Sequence, residues 1–500
     1  MNKFLKLLGY DPVEKQTSVR TEIIAGIVTF LAMAYILTVN PNQILYAGAA
    51  DPRWSSLFIA TAFGAIIGTL LMAFLAKMPL AQASGMGLNS LVGTIIGGGV
   101  GAYSIYVFHF TLGQAFMMVL ISGIVFLLLS VISVKGKTIR ELVFDGMPVS
   151  VRSAISVGIG LFIAYIGFQN AGVIVANQYT QVALADFTNF EASKTALVAL
   201  IGLFLIAVLD KLNVKGSVIL GILGATIVGI PFGVTNVKVI TGSEGVSWKF
   251  WDNFANFFSV GEGSVFGSFT SVFTEGFPAG SLFTVIMLII TMCMIDMFDT
   301  MGTIVGCCGG NRILSDENNK PRNYGMIMMS DSIATCAGAM LGTSTVTTFV
   351  ESGAGVSAGG RTGLTAFTAA CMFLLAIFAM PVFAMIPSAA TAAALIYVGV
   401  LMMKHNVKSI DFSNAVNATT AFLTISVMVL SYSITKGIGI GMLSYTLMTA
   451  IAYGAEWIKY ALAKKNATEE QPAEKPAWNV SIVALVVTAL FVVYFFVPVA

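Results

Sequence analysis

Residues 341–365 read LGTSTVTTFVESGAGVSAGGRTGLT, and this stretch decides how the rest of the chain is interpreted. Small hydroxyl residues come first, the carboxylate of Glu351 follows, and glycines close the stretch. Hydrophobic runs flank it on both sides, and at membrane depth non-helical backbone must be buried in protein or line a polar cavity. An ionisable side chain there costs about 2.5–3.5 kcal/mol on insertion scales and marks a functional site. The stretch therefore predicts a broken membrane span that carries a ligand-binding carboxylate.

The composition of the chain is that of a membrane protein. Of its 500 residues, 57% are hydrophobic and 10% are charged, against roughly 25% charged in soluble domains. The net charge of +2 comes from basic residues at the ends of apolar runs, a distribution that does not indicate nucleic-acid binding. The five cysteines lack the spacing of a zinc site. These features predict a multi-pass protein of the cell membrane with no metal or organic cofactor.

Fourteen apolar runs are predicted to cross the membrane, each near the ~20 residues that a bilayer requires or shortened by a break. Basic residues collect on the cytoplasmic side, so Lys3, Lys6, Lys15 and Arg20 place the N-terminus in the cytoplasm. Residues 478–500 are either a fifteenth crossing or a helix packed outside the bundle. The fourteen runs lie at about 22–46, 55–76, 79–100, 111–134, 150–170, 195–210, 216–234, 281–306, 325–341, 341–365, 364–386, 388–404, 416–434 and 437–457.

The two halves of the chain show weak internal similarity. The segment that starts at Pro148 resembles the one that starts at Pro387. Two halves of seven spans lie in opposite orientations, which is the inverted-repeat plan of many secondary transporters, with the substrate site where broken helices meet. The predicted fold class is an all-α polytopic membrane protein with two inverted seven-span repeats. Broken segments are expected in span three, around Asn89, and span ten, around Glu351.

The eighth predicted span supplies further polar groups. Asp296, Asp299 and Thr303 stand at i, i+3 and i+7, on one helical face. We favour Asp299 as the member that faces substrate, and the alternative for Asp296 is a structural pairing role. Glu351 could instead be tied down by neighbouring backbone N–H groups, and Asn89 could cap a half-helix. Two further polar residues, Asp331 and Arg361, are interpreted as packing or boundary residues.

Three motifs resemble the signatures of the guanine/hypoxanthine/adenine permeases, the AzgA-like branch of the nucleobase–cation symporters. They are GMGLN at 85–89, FDTMGT at 298–303 and GTSTVTTFVESGAGVSAGGRTGLTA at 342–366. The resemblance extends to about residue 460. It departs at Ser84 and Leu91, where the family usually carries a proline and an aromatic residue. It implies the uracil-permease type of fold, in which short antiparallel strands in spans three and ten meet at the site.

The same resemblance implies a core domain of spans 1–4 and 8–11 and a gate domain of spans 5–7 and 12–14. The resulting boundaries are 20–134 and 281–386 for the core, 148–234 and 387–460 for the gate, 235–280 for an extracytoplasmic insert, and 461–500 for a polar linker and an extra hydrophobic helix.

Carried over residue by residue, the family's binding groups fall on Asp299, Glu351 and Asn89. A neutral purine is flat and edged by N–H donors and ring acceptors; carboxylates accept from N–H groups, and an amide both donates and accepts. Burial raises the proton affinity of a carboxylate and an arriving donor lowers it, so Glu351 and Asp299 are also the predicted proton-coupling groups. The neighbouring candidates for substrate contact are Phe298, Thr303, Phe349, Ser352 and Gly87.

The predicted function is therefore proton-coupled uptake of purine nucleobases, guanine or hypoxanthine first and adenine as a further candidate, and the chain is not expected to be an enzyme. Its expected partners are a purine, a proton and the lipid bilayer, with no nucleic acid; a homodimer is left open. Alternatives are a uracil or xanthine transporter, or a sulfate- or bicarbonate-type anion transporter of the same fold. Two acidic residues at the site disfavour anions.

Overall fold

The computed structural model describes residues 3–45, 51–96, 109–134, 137–138, 149–214, 216–239, 246, 248–259, 264–308, 312–315, 321–466, 475, 478 and 480–496. The helices are α1 (Lys3–Leu7), α2 (Val19–Met33), α3 (Ile36–Leu45), α4 (Trp54–Leu71, continued by a π-helical turn at Met72–Ala76), α5 (Met86–Ile95), α6 (Leu112–Val131), α7 (Val149–Asn170), α8 (Phe190–Lys211), α9 (Ser217–Gly229), α10 (Phe250–Phe258), α11 (Val272–Glu275), α12 (Leu282–Cys308), α13 (Tyr324–Leu341), α14 (Ser352–Ser357), α15 (Gly363–Phe378), α16 (Met380–Ala384), α17 (Ser388–Asn406), α18 (Ala415–Leu430), α19 (Ile434–Asn466) and α20 (Ile482–Phe496). The strands are β1 (Gln82–Ser84), β2 (Ser133–Val134), β3 (Lys137–Thr138), β4 (Ile174–Asn177), β5 (Gln181–Leu184) and β6 (Val346–Thr348).

The chain is a mostly helical, multi-pass membrane protein. Within the described ranges, eight helices are long and apolar enough to cross a bilayer. Shorter apolar helices, including Met86–Ile95 and Gly363–Phe378, fall where further spans are predicted. The total of fourteen spans stays a prediction. The eight are Val19–Leu45, Trp54–Ala76, Leu112–Val131, Ser150–Asn170, Phe190–Lys211, Leu282–Met301, Ser388–Ser409 and Lys436–Leu462.

The first predicted span is interrupted where the sequence predicts one continuous run. Helix α2 ends at Met33 and α3 begins at Ile36. In the intervening turn, two backbone hydrogen bonds join residues three positions apart instead of four. Leu37 N–H donates to the Ala34 carbonyl at 3.2 Å, and Thr38 N–H donates to the Tyr35 carbonyl at 3.1 Å. The apolar pattern continues through this turn, so hydrophobicity alone could not locate it.

The chain divides into two compact units, one of Met1–Val131 with Ile163–Leu401 and one of Ile132–Phe162 with Met402–Ala500. The predicted core and gate boundaries are a separate proposal that this division does not test. Every residue of the predicted substrate set belongs to the first unit.

In the first unit, the start of α2 is fastened to the turn before α15. Glu22 is fully buried, and its carboxylate accepts bonds from Arg361 N–H at 2.9 Å, Thr362 N–H at 3.3 Å and the Thr365 hydroxyl at 2.5 Å. A Cβ at Gly26 would lie 2.5 Å from the Thr365 carbonyl oxygen, so only glycine permits this approach of the two helices. The contact fixes the chain just beyond the short helix α14.

In the second unit, α20 packs antiparallel to α19. Its contacts reach residues 439 and 446 of α19, and Trp478, shortly before α20, contacts residue 453, so the packing extends over about 21 Å at 1.5 Å per residue. The helix therefore lies alongside the fourteenth predicted span, and both the fifteenth crossing and a helix packed outside the bundle stay predictions. The contacts pair Gly439 with Phe491, Thr446 with Thr488, and Tyr453 with Trp478.

The predicted insert at 235–280 contains the amphipathic helix α10. Phe257 is fully buried on one face of this helix, whereas Trp251 on the other is 74% exposed. This pattern suits a helix at a membrane surface, and its extracytoplasmic location stays a prediction. The linker before α20 lies largely outside the described residues.

Candidate functional site

The two broken spans meet as a pair of short strands. Strand β1 pairs antiparallel with β6, with Gln82 opposite Thr348 and Ser84 opposite Val346. The ladder extends at each end, because Gly85 N–H donates to the Thr345 carbonyl at 3.0 Å and Phe349 N–H donates to the Ala81 carbonyl at 3.1 Å. The predicted meeting of strands from spans three and ten is confirmed. The pair satisfies backbone groups that lipid could not.

Each strand leads directly into a short helix. One residue separates β1 from helix α5, which begins at Met86, and three residues separate β6 from helix α14, which begins at Ser352. Ser352 joins the two segments, since its hydroxyl accepts the Ala81 N–H at 3.0 Å. The loop 349–351 is thus anchored on both sides, and its carboxylate has a fixed position.

Ser84 stands where the resembling family usually has proline, and its hydroxyl has a structural role. It lies 2.7 Å from the Thr343 hydroxyl and accepts a bond from Asn40 Nδ2 at 3.2 Å. Asn40 Nδ2 also lies 2.8 Å from Thr343 Oγ1 and 2.7 Å from Thr61 Oγ1. These side-chain bonds hold the end of the strand pair where β1 finishes and β6 begins, so the pairing forms without the proline.

Glu351 is the carboxylate at the end of the strand pair. It is 7% exposed, and its Oε1 accepts a hydrogen bond from the Tyr35 hydroxyl. Its Oε2 is buried and has no hydrogen-bond partner within the described part of the chain. An unsatisfied buried acceptor of a charged group is costly, so Oε2 is an acceptor available to a ligand.

Tyr35 lies in the turn between α2 and α3 and links the first span to both broken spans. Besides its bond to Glu351, its hydroxyl lies 3.8 Å from Met86 Sδ in the first turn of α5. Tyr35 is fully buried. The turn in the first span therefore places the Tyr35 hydroxyl next to Glu351.

Asp299 lies on α12, near Glu351 and Tyr35. It interacts electrostatically with Glu351 and with Tyr35. It is half-buried and accepts no hydrogen bond from the residues that the structure describes. The structure thus brings together the two predicted acidic groups, each with acceptor capacity that is not used inside the protein.

Asp296 has a different environment from Asp299, three residues away. It is fully buried, its Oδ2 accepts a bond from the Thr335 hydroxyl of α13 at 2.9 Å, and it interacts electrostatically with Asp331, which also lies on α13. This placement favours the alternative in which Asp296 does not contact substrate.

Asn89 lies inside α5, where its amide is engaged by the protein. Its Oδ1 accepts a bond from the Ser344 hydroxyl, and its Nδ2 lies 3.4 Å from the Ser84 carbonyl oxygen. The helix cap is Gly85 rather than Asn89. One amide hydrogen remains for a ligand, so a direct substrate contact stays a prediction.

The other predicted residues are distributed around this centre. Gly87 lies in the first turn of α5, and Ser352 is used in the bond to Ala81. Phe349 is 4% exposed and Thr303 is 7% exposed, so both are about as buried as Glu351, and substrate contact by either stays a prediction. The side chain of Phe298 lies outside the described residues.

Tyr35 and Gln82 are site residues that the sequence reading missed. Gln82 Nε2 donates to Asp331 Oδ1 at 2.8 Å and so connects strand β1 with helix α13. The sequence feature that could have identified Tyr35 is its position as a polar residue inside the apolar run AMAYILTVNPNQ. Polar groups inside a membrane are costly to bury, so such a residue often has a functional partner.

Known proteins match most of the chain. Residues 20–440 match the family model Xan_ur_permease, which is described as a permease family. The adenine permease AdeP of Escherichia coli is 35% identical over 87% of this chain and 88% of its own length. The guanine/hypoxanthine permease PbuO of Bacillus subtilis is 35% identical over 87% of this chain and 93% of its own.

A solved structure shares the fold. The transmembrane domain of the cyanobacterial bicarbonate transporter BicA aligns with a TM-score of 0.57 over 84% of this chain and 97% of that domain, at 15% identity. A likeness at this identity concerns the arrangement of the chain and not its substrate.

Proposed function

This chain belongs to the nucleobase–cation symporter 2 family of permeases, and we propose that it carries purine nucleobases across the membrane together with protons. Its relatives are permeases rather than enzymes. Guanine and hypoxanthine are the proposed substrates, with adenine as a further candidate, because relatives named for each are similar over most of the chain.

The observation that carries the proposal is the pair of acidic groups at the meeting point of the strands. Glu351 Oε2 has no partner among the described residues, and Asp299 accepts no hydrogen bond from them. The edge of a purine carries N–H donors, which carboxylates accept. A buried site that pairs each donor rejects a base that lacks one, because its own acceptor is then left unsatisfied.

Proton coupling rests on the same two groups. Two carboxylates that interact within a mostly buried site resist carrying charge together, so one of them holds a proton when substrate is absent. A purine N–H that donates to Glu351 stabilises its charged form, and this negative charge raises the proton affinity of Asp299 beside it, so the base and the proton are held at the site together. Binding of base and binding of proton are thereby linked.

For the architecture, we propose fourteen spans in two inverted repeats, with the N-terminus in the cytoplasm and the core moving against the gate. Interrupted spans that supply the binding groups are typical of inverted-repeat transporters. An anion substrate is disfavoured, because Glu351 and Asp299 would repel it.

The direct test is uptake of labelled hypoxanthine by the full chain in a host that lacks purine uptake. We expect accumulation that stops when the proton gradient is collapsed, and competition by guanine and adenine that exceeds competition by xanthine or uracil. Accumulation that survives collapse of the gradient would refute proton coupling. Strong competition by uracil alone would support the uracil-type alternative.

Replacing Tyr35 by phenylalanine should weaken transport without unfolding the protein. The change removes the hydroxyl that holds Glu351 Oε1, and a hydrogen bond to a charged group contributes about 1.5–3 kcal/mol, so we expect uptake at low substrate to fall roughly tenfold or more. Initial rates of hypoxanthine uptake, normalised to protein in the membrane, measure the effect.

The matched control for this change is Tyr179→Phe, because Tyr179 is 92% exposed near strands β4 and β5. This variant should transport like wild type. Equal rates for Tyr35→Phe and wild type would show that the phenol does not position the carboxylate.

A further inference from the structure

Helix α2 and the turn after it hold both ends of the segment that carries Glu351. Near the start of α2, the buried Glu22 carboxylate accepts the N–H groups of Arg361 and Thr362. Just beyond the end of α2, the Tyr35 hydroxyl donates to Glu351 Oε1. Glu22 and Tyr35 are about 20 Å apart along the helix at a rise of 1.5 Å per residue. The first span therefore contacts residues on both sides of the short helix α14.

Between these two contacts, α14 packs directly against α2 at a glycine. A Cβ at Gly355 would lie 2.9 Å from the Ala25 carbonyl oxygen and would overlap Thr29 Oγ1. Side-chain carbon does not come that close to a backbone oxygen, so only glycine permits this contact. Helix α14 thus runs antiparallel to α2 and in contact with it, from Glu351 to the turn at 358–362.

Arg361 connects Glu22 with the end of α14. Its backbone N–H donates to Glu22 Oε1 at 2.9 Å. Its guanidinium Nη1 donates to the carbonyl of Val356 at 2.6 Å and to that of Gly360 at 2.7 Å. Val356 lies in the last turn of α14, where the helix dipole also favours a cation. A displacement at Glu22 is therefore passed to α14 through a single residue.

Both oxygens of the Glu22 carboxylate are engaged by protein donors. Besides the bond from Arg361, Oε2 accepts the Thr362 N–H at 3.3 Å and the Thr365 hydroxyl at 2.5 Å. Glu351 differs, because its Oε2 has no partner among the described residues. Burying a carboxylate is costly unless its oxygens accept hydrogen bonds, so this arrangement indicates an anchor rather than a ligand-binding group.

We propose that Glu22 is a positioning residue for substrate binding. By fixing the turn at 358–362, it sets the register of α14 along α2 and keeps Glu351 beside the Tyr35 hydroxyl. In this role Glu22 does not contact the purine. The role rests on the proposed function, because the position of Glu351 matters for affinity only if Glu351 binds the substrate.

Glu22→Gln weakens this anchor with little change in the shape of the side chain. An amide has a single acceptor oxygen, and its NH2 group only donates. One of the two backbone N–H groups, that of Arg361 or that of Thr362, then loses its acceptor. These groups cannot turn away as a hydroxyl can, so the turn shifts or keeps an unsatisfied donor.

The turn keeps two other anchors in this variant, both from the N-terminal segment. Gly363 N–H donates to the Leu8 carbonyl at 3.0 Å. The Thr17 hydroxyl donates to the Gly359 carbonyl at 3.4 Å. Glu22→Gln should therefore fold and insert, with α14 held less firmly against α2.

The test measures the dissociation constant of labelled hypoxanthine from the purified full chain, in a double-mutant cycle of Glu22→Gln and Tyr35→Phe. A displacement carried through packed elements changes affinity about 2- to 30-fold, and we expect Glu22→Gln to weaken binding within this range. The double variant should bind about as well as Tyr35→Phe alone, because the contact that Glu22 preserves is already lost. A general loss of stability would instead weaken binding by the same factor in both backgrounds.

Glu191→Gln changes the same atoms at a side chain that is 79% exposed and should leave the dissociation constant unchanged. If Glu22→Gln does not insert, Thr365→Val removes the hydroxyl that donates to Glu22 Oε2 and takes its place in the cycle. An unchanged dissociation constant in the variant that inserts overturns the positioning role. So does a loss in the double variant that equals the product of the two separate losses.

Wild-type protein is measured in the same series, by binding and by uptake of hypoxanthine. Wild-type protein that neither binds nor accumulates a purine would contradict the proposed function. Wild-type binding and uptake without the expected cycle would contradict only the role of Glu22, so the two failures are distinguishable.

Discussion

Glu351→Gln should abolish accumulation of hypoxanthine while the protein still inserts in the membrane. Glutamine keeps the shape of the side chain and an acceptor for the Tyr35 hydroxyl, but it carries neither charge nor exchangeable proton. Loss of a hydrogen bond to a charged group costs about 1.5–3 kcal/mol, so we expect binding to weaken roughly 10- to 100-fold. Without a proton to exchange, gradient-driven accumulation should disappear altogether.

Uptake at several hypoxanthine concentrations, normalised to the amount of protein in the membrane, measures this effect. Glu191→Gln is the matched control, because the Glu191 side chain is 79% exposed at the start of α8 and the same atoms change. Wild-type accumulation by Glu351→Gln would remove this residue from the mechanism.

Asp299→Asn should lose transport while keeping its fold. Asp299 accepts no hydrogen bond from the described residues, so the amide leaves no protein donor unsatisfied, and because a like charge beside Glu351 is also removed, stability should not fall. Its interaction with Glu351 is lost, and the site loses one acceptor for a purine N–H. We expect uptake to fall roughly tenfold or more, for the same reason as at Glu351.

Two measurements are needed for Asp299→Asn: initial uptake, and thermal unfolding of the detergent-purified protein. Asp252→Asn at the exposed position on α10 should match wild type in both. Normal uptake would show that Asp299 does not serve the substrate. Reduced uptake with a large loss of stability would assign it a structural role instead.

Much of this site could be predicted from the sequence, because lipid makes polar residues conspicuous. Glu351 and Asp299 stand out in apolar surroundings, and burying such groups without function is costly. The strand pair was expected only through the resemblance, since three residues such as Gln82–Ser84 are too few for an alternating pattern to identify a strand.

Other features depend on contacts between segments that are distant in the chain. Tyr35 contacts Glu351 across 316 residues, and nothing near Tyr35 in the sequence indicates this partner. Glu22 lies close to the predicted cytoplasmic end of the first span, a position typical of solvated charges, yet it is fully buried against the turn before α15. Asp331 was interpreted as a packing residue, and its ties to Thr300 and Gln82 became visible only in three dimensions.

The measurement that tests the central claim most directly is an experimental structure of the full chain in a lipid nanodisc with hypoxanthine bound. We expect a flat ring beside the β1–β6 junction, with one N–H within hydrogen-bond distance of Glu351 Oε2 and the Asp299 carboxylate in contact with the same ligand. A purine bound elsewhere, in contact with neither carboxylate, would contradict it.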